Sequence, residues 1–450
     1  MPDPATDSQY FAKAVSQLGP ERGMQTNRPI LGAQGIKILD KGAKLTPRLY
    51  ERLVQHHPTT PLEDAIDIEG SINGKNLRAI GEELLDSNLV FSRMAEKPEV
   101  RQLLLDCLEA VPLPSAIVFQ LTVVRDVHPG QFRYFVATAL TAVWLANRPL
   151  ALRTDLVMLA AAGLLHDLGM MHIDPVLLEP STEISPEQRR QLYSHPLVSV
   201  LLLERHAEYR VDMLRAVREH HEVLDGSGYP AGLAATSIGA WGRIVSLAQV
   251  VAALVRPGRN HALLRLSVLL RTNRHRYDTV LINRMLPLLQ RPDADSNADA
   301  SQADGIDNPV ADPVHHLKAI YLALLGWPAA LAQDTRWSAA RRGGLVFIGE
   351  RCARIHRTII ESGVAPDQLQ SLDADSITGP LADELSLITR ELAWQLRAVE
   401  REARRRWAAT AGEKLPDSLA AWTHKVETVC ADLVERSGAP IAPVLLTEKT

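Results

Sequence analysis

Apolar residues recur with helical spacing along most of the chain, at positions three and four apart. The helices that this pattern predicts cover residues 77–113 (two helices), 115–126, 128–145, 155–165, 314–327, 345–360 and 381–407. The helix over 155–165 is almost entirely apolar, which is typical of a helix buried on all sides. The pattern therefore predicts a mainly α protein.

A different pattern stands near the beginning of the chain. Ile36 and Ile38 alternate with polar residues between glycines, which predicts a small β-hairpin. Thr46 followed by Pro47 is an N-cap and first-turn signal for a helix that runs to Val54. A docking arm and a sensory role are both open for this β-containing segment.

Composition and charge narrow the class of protein. Of the 450 residues, 46% are hydrophobic but only 5% are aromatic, so the interior is rich in Ala and Leu, which favours helices. A net charge of −4 gives no electrostatic case for a nucleic-acid polymer or an acidic membrane as partner.

Cys107, Cys352 and Cys430 lie far apart and are interpreted as reduced thiols. With no signal-peptide pattern and a longest central apolar run only half a membrane span, we expect a soluble cytoplasmic protein.

The candidate chemistry is concentrated in the middle of the chain. His166-Asp167 ends the apolar helix, His195 begins another helical stretch, and His220-His221 closes a third. Histidine and carboxylate side chains carried inward by several helices are how all-α folds build sites for Zn, Mn or Fe. An adjacent His-Asp pair suits two ions, because a carboxylate can bridge them. Ordinary capping histidines are the alternative.

Four sequence blocks carry a family resemblance. They are His-Asp-Leu-Gly at 166–169, the lone His195, His-His-Glu at 220–222 and Asp-Gly-Ser-Gly-Tyr-Pro at 225–230. In this order and spacing they resemble the HD-GYP branch of the HD phosphohydrolases, from about His128 to Leu289. The resemblance implies a mainly α fold with an HD-type helical bundle, a small N-terminal β-containing segment and a C-terminal helical module.

The resemblance also implies a metal-dependent phosphodiesterase that acts on cyclic di-GMP or a related nucleotide. It implies one or two divalent ions, Fe, Mn or similar, and His166 and Asp167 as the catalytic pair. The implied metal ligands are His128, His166, Asp167, His195, His220 and His221. The implied substrate contacts are Gly228, Tyr229, Pro230, Arg256 and Arg259. For the two arginines, a solvated basic face is an equal alternative.

Two positions depart from the family pattern. Gln249 stands where the family has a metal-binding Asp, and no Asp or Glu occurs anywhere in residues 231–277 to replace it. Met170 stands where the family has a Lys that can hold a phosphate. We therefore expect a cyclic di-GMP signalling protein whose hydrolytic activity is weak or lost. The alternative is a non-catalytic nucleotide sensor or protein-interaction scaffold.

The domain organisation follows from these blocks and from an Asp/Ala/Ser-rich tract that is typical of a flexible linker. We predict an N-terminal segment with the hairpin and helices at 1–112, an HD-GYP-like domain at 113–290, the linker at 291–312 and a C-terminal helical module at 313–450. Protein partners are expected through the 225–230 loop and the C-terminal helices, and a homodimer is an open option. His172 and His206 match no family position and are predicted as surface residues.

Overall fold

The computed structural model describes residues 9–18, 22–32, 35–55, 58–178, 185–255, 261–290, 306, 308–327, 339–370, 377–411 and 417–437. The chain divides into two compact units, residues 1–257 with 276–288, and residues 258–275 with 289–450. The described residues are mainly helical, which confirms the predicted fold class of an HD-type helical bundle with a small β-containing segment and C-terminal helices.

The first unit begins with a small β segment. Its strands are β1 (Met24–Thr26), β2 (Ile30–Leu31), β3 (Lys37–Leu39), β4 (Lys44–Leu45) and β5 (Ile66–Ile68). Strand β1 pairs antiparallel with both β4 and β5, while β2 and β3 form the predicted hairpin. The helix predicted after Thr46 is also present, over Pro47–Gln55.

This segment shares a hydrophobic core with a helix that we predicted to lie in the next domain. Phe119 and Val123, on helix Ser115–Val127, are buried in the same cluster as Phe11 and Tyr50. The Phe119 ring lies 6.0 Å from the Phe11 ring and 5.6 Å from the Tyr50 ring. The β segment is therefore packed into the first unit.

The helices of the first unit carry the site. They are α1 (Gln9–Ser16), α2 (Pro47–Gln55), α3 (Leu62–Ala65), α4 (Gly74–Leu85), α5 (Leu89–Met94), α6 (Pro98–Glu109), α7 (Ser115–Val127), α8 (Pro129–Ala146), α9 (Arg153–Leu165), α10 (Pro186–Leu192), α11 (His195–Leu203), α12 (Val211–Glu219), α13 (Ala240–Leu254) and, after α14 of the second unit, α15 (Thr279–Met285). Helix α9 packs against α8, α12 and α13. Leu156, Leu159 and Leu165 of α9 are at most 3% exposed, as its apolar sequence predicts.

Helix α9 and the short 3-10 helix Leu168–His172 form one apolar stretch, Arg153–His172. By length and composition this stretch could span a membrane. In the folded protein 78% of its apolar window is buried, because α8, α12 and α13 surround it. A central helix of an all-α core has the same character.

In the part of the second unit that the structure describes, the helices are α14 (Ala262–Thr272), α16 (Pro313–Leu325) and four more, which are Ala339–Glu361, Pro366–Leu369, Gly379–Ala411 and Asp417–Ser437. Helix α14 falls within the range that we predicted for the HD-GYP-like domain, 113–290. It packs instead on Gly379–Ala411, where Val268 joins the core of this unit and Asn273 donates to Glu391 at 2.8 Å. The predicted linker, 291–312, lies largely outside the described residues.

Candidate metal centre

The His166-Asp167 pair lies at the buried end of α9. His166 is fully buried and Asp167 is 7% exposed. The turn that follows is docked tightly on α11, since a Cβ added at Gly169 would meet the His195 carbonyl oxygen at 2.3 Å. The Gly169 amide donates to Ser199 Oγ, which in turn donates to the His166 carbonyl oxygen, both at 2.8 Å. The glycine therefore lets α11 bring His195 up to Asp167.

Three helix ends bring histidines to one carboxylate. Asp167 Oδ1 lies 3.1 Å from His195 Nε2 and 3.2 Å from His220 Nε2, and these two nitrogens are 3.3 Å apart. His221 completes the group, because one ligand atom from each of the four residues lies within 4.8 Å of the others. The structure thus brings together four of the six predicted metal ligands.

The same kind of backbone hydrogen bond orients His166, His195 and His220, the three histidines whose Nε2 atoms face Asp167. The Nδ1 atoms of His166, His195 and His220 lie 2.8, 2.8 and 2.6 Å from the carbonyl oxygen three residues earlier. A carbonyl oxygen only accepts hydrogen bonds, so each Nδ1 carries a proton. The opposite ring nitrogen, Nε2, is thereby turned toward Asp167 in all three residues.

The electrostatics of the group are those of a site for a cation. Burial by itself raises the pKa of Asp167, but the field of His166 and the hydrogen bonds of the surrounding imidazoles outweigh it and hold that pKa well below its usual range. Burial lowers the pKa of His220 to about 4 and that of His221 well below its ordinary value. The group is therefore one buried carboxylate among imidazole rings whose Nε2 atoms face it. A divalent metal ion fits this donor set.

The 225–230 loop lies against the histidines. A Cβ at Gly228 would meet the His221 carbonyl oxygen at 2.4 Å, so only glycine permits this approach. The Tyr229 ring stacks on His221 at 4.5 Å and on Tyr193 at 4.0 Å. Burial, followed by the charge of Asp167, raises the pKa of Tyr229 well above its usual range. Tyr229 is therefore a neutral hydroxyl donor, and the half-buried Pro230 follows it.

Glu222 anchors this loop, a role that the sequence reasoning missed. Its carboxylate accepts hydrogen bonds from the backbone amides of Ala231, Gly232 and Leu233, at 2.7, 3.1 and 2.8 Å. Glu222 is 1% exposed. A carboxylate next to two histidines suggests a ligand from sequence alone, and nothing local reveals that it faces away toward the loop.

The opposite side of Asp167 is built differently. His166 Nε2 lies 3.3 Å from Asp167 Oδ2 and 3.2 Å from the hydroxyl oxygen of Tyr134. That hydroxyl is 3.1 Å from Gln249 Oε1. Gln249 is thus close to the His-Asp pair, as the resemblance implies, but it brings a neutral amide. Tyr134 was not predicted, although a buried tyrosine needs a polar partner for its hydroxyl.

The remaining predicted residues lie elsewhere. His128 is exposed between α7 and α8, and the four-residue group that could hold an ion does not include it. Its position at the start of α8 is one and a half turns before Tyr134, the residue of that helix that reaches His166. Arg256 and Arg259 lie outside the described residues. Met170 is half-buried in the turn after Asp167. The prediction that His172 is a surface residue is wrong, because it is 7% exposed and stacks on Phe11.

Comparison with known proteins agrees with this geometry. A family model described as "HD domain" matches residues 138–281. A cyclic di-GMP phosphodiesterase of Pseudomonas aeruginosa is 34% identical over 147 residues, 31% of this chain and 34% of that protein. The cyclic di-GMP phosphodiesterase response regulator RpfG of Xanthomonas campestris pv. campestris is 39% identical over 97 residues, 21% of this chain and 25% of that protein.

A third relative, the 3'3'-cGAMP-specific phosphodiesterase 3 of Vibrio cholerae, is 30% identical over 100 residues, which are 22% of this chain and 22% of that protein. The match therefore spans about a fifth to a third of the length of these relatives. The match to the family model covers the part of the chain that carries Asp167, the histidines around it and the 225–230 loop. Residues 138–281 are thus similar to the HD domain, which confirms the family resemblance that the sequence blocks indicated.

Proposed function

We propose that this protein binds cyclic di-GMP or a closely related cyclic dinucleotide at a metal centre, and that its hydrolysis of the phosphodiester is weak or lost. The observation that carries the proposal is the group of Asp167, His195, His220 and His221, in which one ligand atom from each residue lies within 4.8 Å of the others. Similar proteins include phosphodiesterases named for cyclic di-GMP and for 3'3'-cGAMP, which supports a cyclic dinucleotide as the ligand. The protein would act in the cytoplasm.

The four residues would hold Fe, Mn or a similar divalent ion. Such an ion, when bound, polarises a phosphate oxygen and lowers the pKa of its water. Asp167 supplies the one negative charge among the four. The protonated Nδ1 of His195 and of His220 fixes each ring with its Nε2 inward. Tyr229, which stays neutral, is suited to donate a hydrogen bond to a phosphate oxygen close to Asp167.

Two residues support the loss of hydrolysis. Gln249 contributes no charge where a carboxylate would assist, and Met170 cannot hold a phosphate oxygen. Binding survives such changes more readily than catalysis, because catalysis requires interactions that strengthen in the transition state. The same two residues favour the second candidate, a non-catalytic nucleotide sensor or scaffold. Arg256 and Arg259 as phosphate contacts, partners bound through the loop and the C-terminal helices, and a homodimer remain proposals.

The test measures binding and cleavage separately. Calorimetric titration of cyclic di-GMP into protein supplied with Mn²⁺ should give saturable binding, which Asp167→Asn should abolish. Chromatography of the same mixture after hours should show little linear product. Rapid turnover would overturn the proposed loss of hydrolysis. No binding at near-millimolar nucleotide would overturn the nucleotide function and leave the scaffold.

A further inference from the structure

We propose that the hydroxyl of Tyr134 takes the place beside His166 that a second metal ion would need, so that Tyr134 is the positioning residue that makes this a one-ion centre. The proposal rests on the metal centre of the proposed function. It concerns the side of Asp167 that faces His166, Tyr134 and Gln249.

The first step is the hydrogen bonding of His166. Its Nδ1 donates to the Gly163 carbonyl oxygen at 2.8 Å, which turns its Nε2 inward. The Tyr134 hydroxyl oxygen lies 3.2 Å from this nitrogen. The ring of His166 is packed edge-on against Tyr134 and Phe135, with centroids 5.4 and 5.7 Å apart. Protein atoms thus enclose the inward nitrogen of His166.

The second step is the role of Gln249. Its side-chain amide oxygen is 3.1 Å from the Tyr134 hydroxyl oxygen. The hydroxyl donates to this oxygen, so Gln249 holds Tyr134 in place beside His166. An aspartate at 249 would accept from the hydroxyl in the same way, so by itself it would leave Tyr134 where it is.

A second ion would fit poorly on the side of Asp167 that faces His166. Its ligands would be His166, a neutral amide and Asp167 Oδ2, while Oδ1 of the same carboxylate faces His195 and His220. Residues 231–277 contain no Asp or Glu, and His128 is exposed. One carboxylate would have to balance two divalent ions in a buried place, which is costly. A tyrosine hydroxyl needs no such balance.

The experiment counts bound Mn²⁺ by calorimetry and reads the electron paramagnetic resonance spectrum, in which two neighbouring ions give a coupled signal. We expect one ion in the wild type, in Gln249→Asp and in Tyr134→Phe. The double variant Tyr134→Phe/Gln249→Asp, with the hydroxyl removed and a carboxylate added, should hold two. Tyr209→Phe is the matched control, since Tyr209 is a buried tyrosine whose hydroxyl donates to the Pro112 carbonyl oxygen at 2.9 Å.

Two ions in the wild type or in Gln249→Asp would overturn the proposal, and so would one ion in the double variant. A second measurement does not need metal. In metal-free protein, Tyr134→Phe should move the ¹⁵N resonance of His166 Nε2 toward that of a nitrogen without a hydrogen bond, and Tyr209→Phe should not. An unmoved resonance would overturn the role of Tyr134. Absence of any bound ion would count against the proposed function alone, which keeps the two failures distinct.

Discussion

One carboxylate faces two different environments in this protein. On the histidine side of Asp167, formed by His195, His220 and His221, one ligand atom from each residue lies within 4.8 Å of the others. On the tyrosine side, formed by His166, Tyr134 and Gln249, the Tyr134 hydroxyl lies 3.2 Å from His166 Nε2 and donates to Gln249 Oε1 at 3.1 Å. The difference teaches that the number of histidines does not decide where an ion binds. Under our proposal, what decides is whether a side chain of the protein already lies against the inward nitrogen, as Tyr134 does at His166.

The energetic reason is the cost of buried acceptors. A buried polar group without a partner costs roughly 1–3 kcal/mol, and more when it is charged. The tyrosine side meets that demand with its own hydrogen bonds. The histidine side can meet it with a proton, which the low pKa values of His220 and His221 oppose near neutrality, or with a metal ion. The same four residues that favour an ion therefore lose stability without one.

Removing the shared charge should have the largest effect. Asp167→Asn leaves three imidazoles and a neutral amide, so Mn²⁺ affinity should fall by more than about 100-fold, or about 2.7 kcal/mol. Calorimetric titration measures this change. Asp155→Asn, in the first turn of the same helix, is the control and should bind like the wild type. Near wild-type affinity in Asp167→Asn would mean that the carboxylate is not a ligand.

Separating α11 from the His-Asp turn should affect the histidine side alone. In Gly169→Ala the added methyl group would meet backbone atoms of His195 and Ser199 at 2.3 and 2.7 Å. We expect the free energy of unfolding to fall by about 1–3 kcal/mol and Mn²⁺ affinity by roughly 10-fold. Urea denaturation and metal titration measure the two. The control is Gly130→Ala, because a Cβ at Gly130 meets nothing within 4 Å. Equal behaviour of the two variants would refute the tight docking.

His172, a buried histidine that belongs to neither side of Asp167, should account for part of the loss of stability at low pH. Burial, followed by the charge of Arg205, lowers the pKa of His172 from 6.5 to about 3. Between these values the unfolded chain holds a proton that the folded protein does not. The stabilising contribution is therefore present above pH 6.5 and is lost as the pH falls toward 3, by up to about 1.4 kcal/mol per pH unit.

Substitution isolates this contribution. His172→Phe keeps a flat ring against Phe11 and removes the titrating group. Its stability in urea should decline less than that of the wild type between pH 6 and pH 5, by about 1 kcal/mol. Parallel declines would show that His172 takes up a proton in the folded state.

The smallest effect is expected at His128, which lies exposed before α8. His128→Gln should leave Mn²⁺ affinity within a factor of about two, since the residue is outside the four-residue group. His195→Gln, in the same titration, should weaken binding by at least about 10-fold. A large loss in His128→Gln would place this histidine back among the ligands and would contradict the two-sided arrangement.

Local sequence was sufficient to predict the helix and hairpin named here and half of the candidate metal centre. Helix α9 follows from its apolar run, and the hairpin from the alternation at Ile36 and Ile38. The bonds that orient His166, His195 and His220 each reach a carbonyl only three residues back, so they need no more than one turn of helix. Gly169 and Gly228 each lie very close to the backbone of a neighbouring element. Both glycines are already present in the four sequence blocks.

Tertiary structure decided what the blocks could not. Tyr134 reaches His166 across 32 residues, His172 is covered by Phe11 from the first helix, and α14 packs in the second unit. The rotation and offset of packed helices determine these contacts, and hydrophobic periodicity gives only the buried face. Which residue on that face meets which partner depends on the side chains of both helices. That is why the sequence blocks already contain His195, His220 and His221, whereas the contact of Tyr134 with His166 could not be predicted from them.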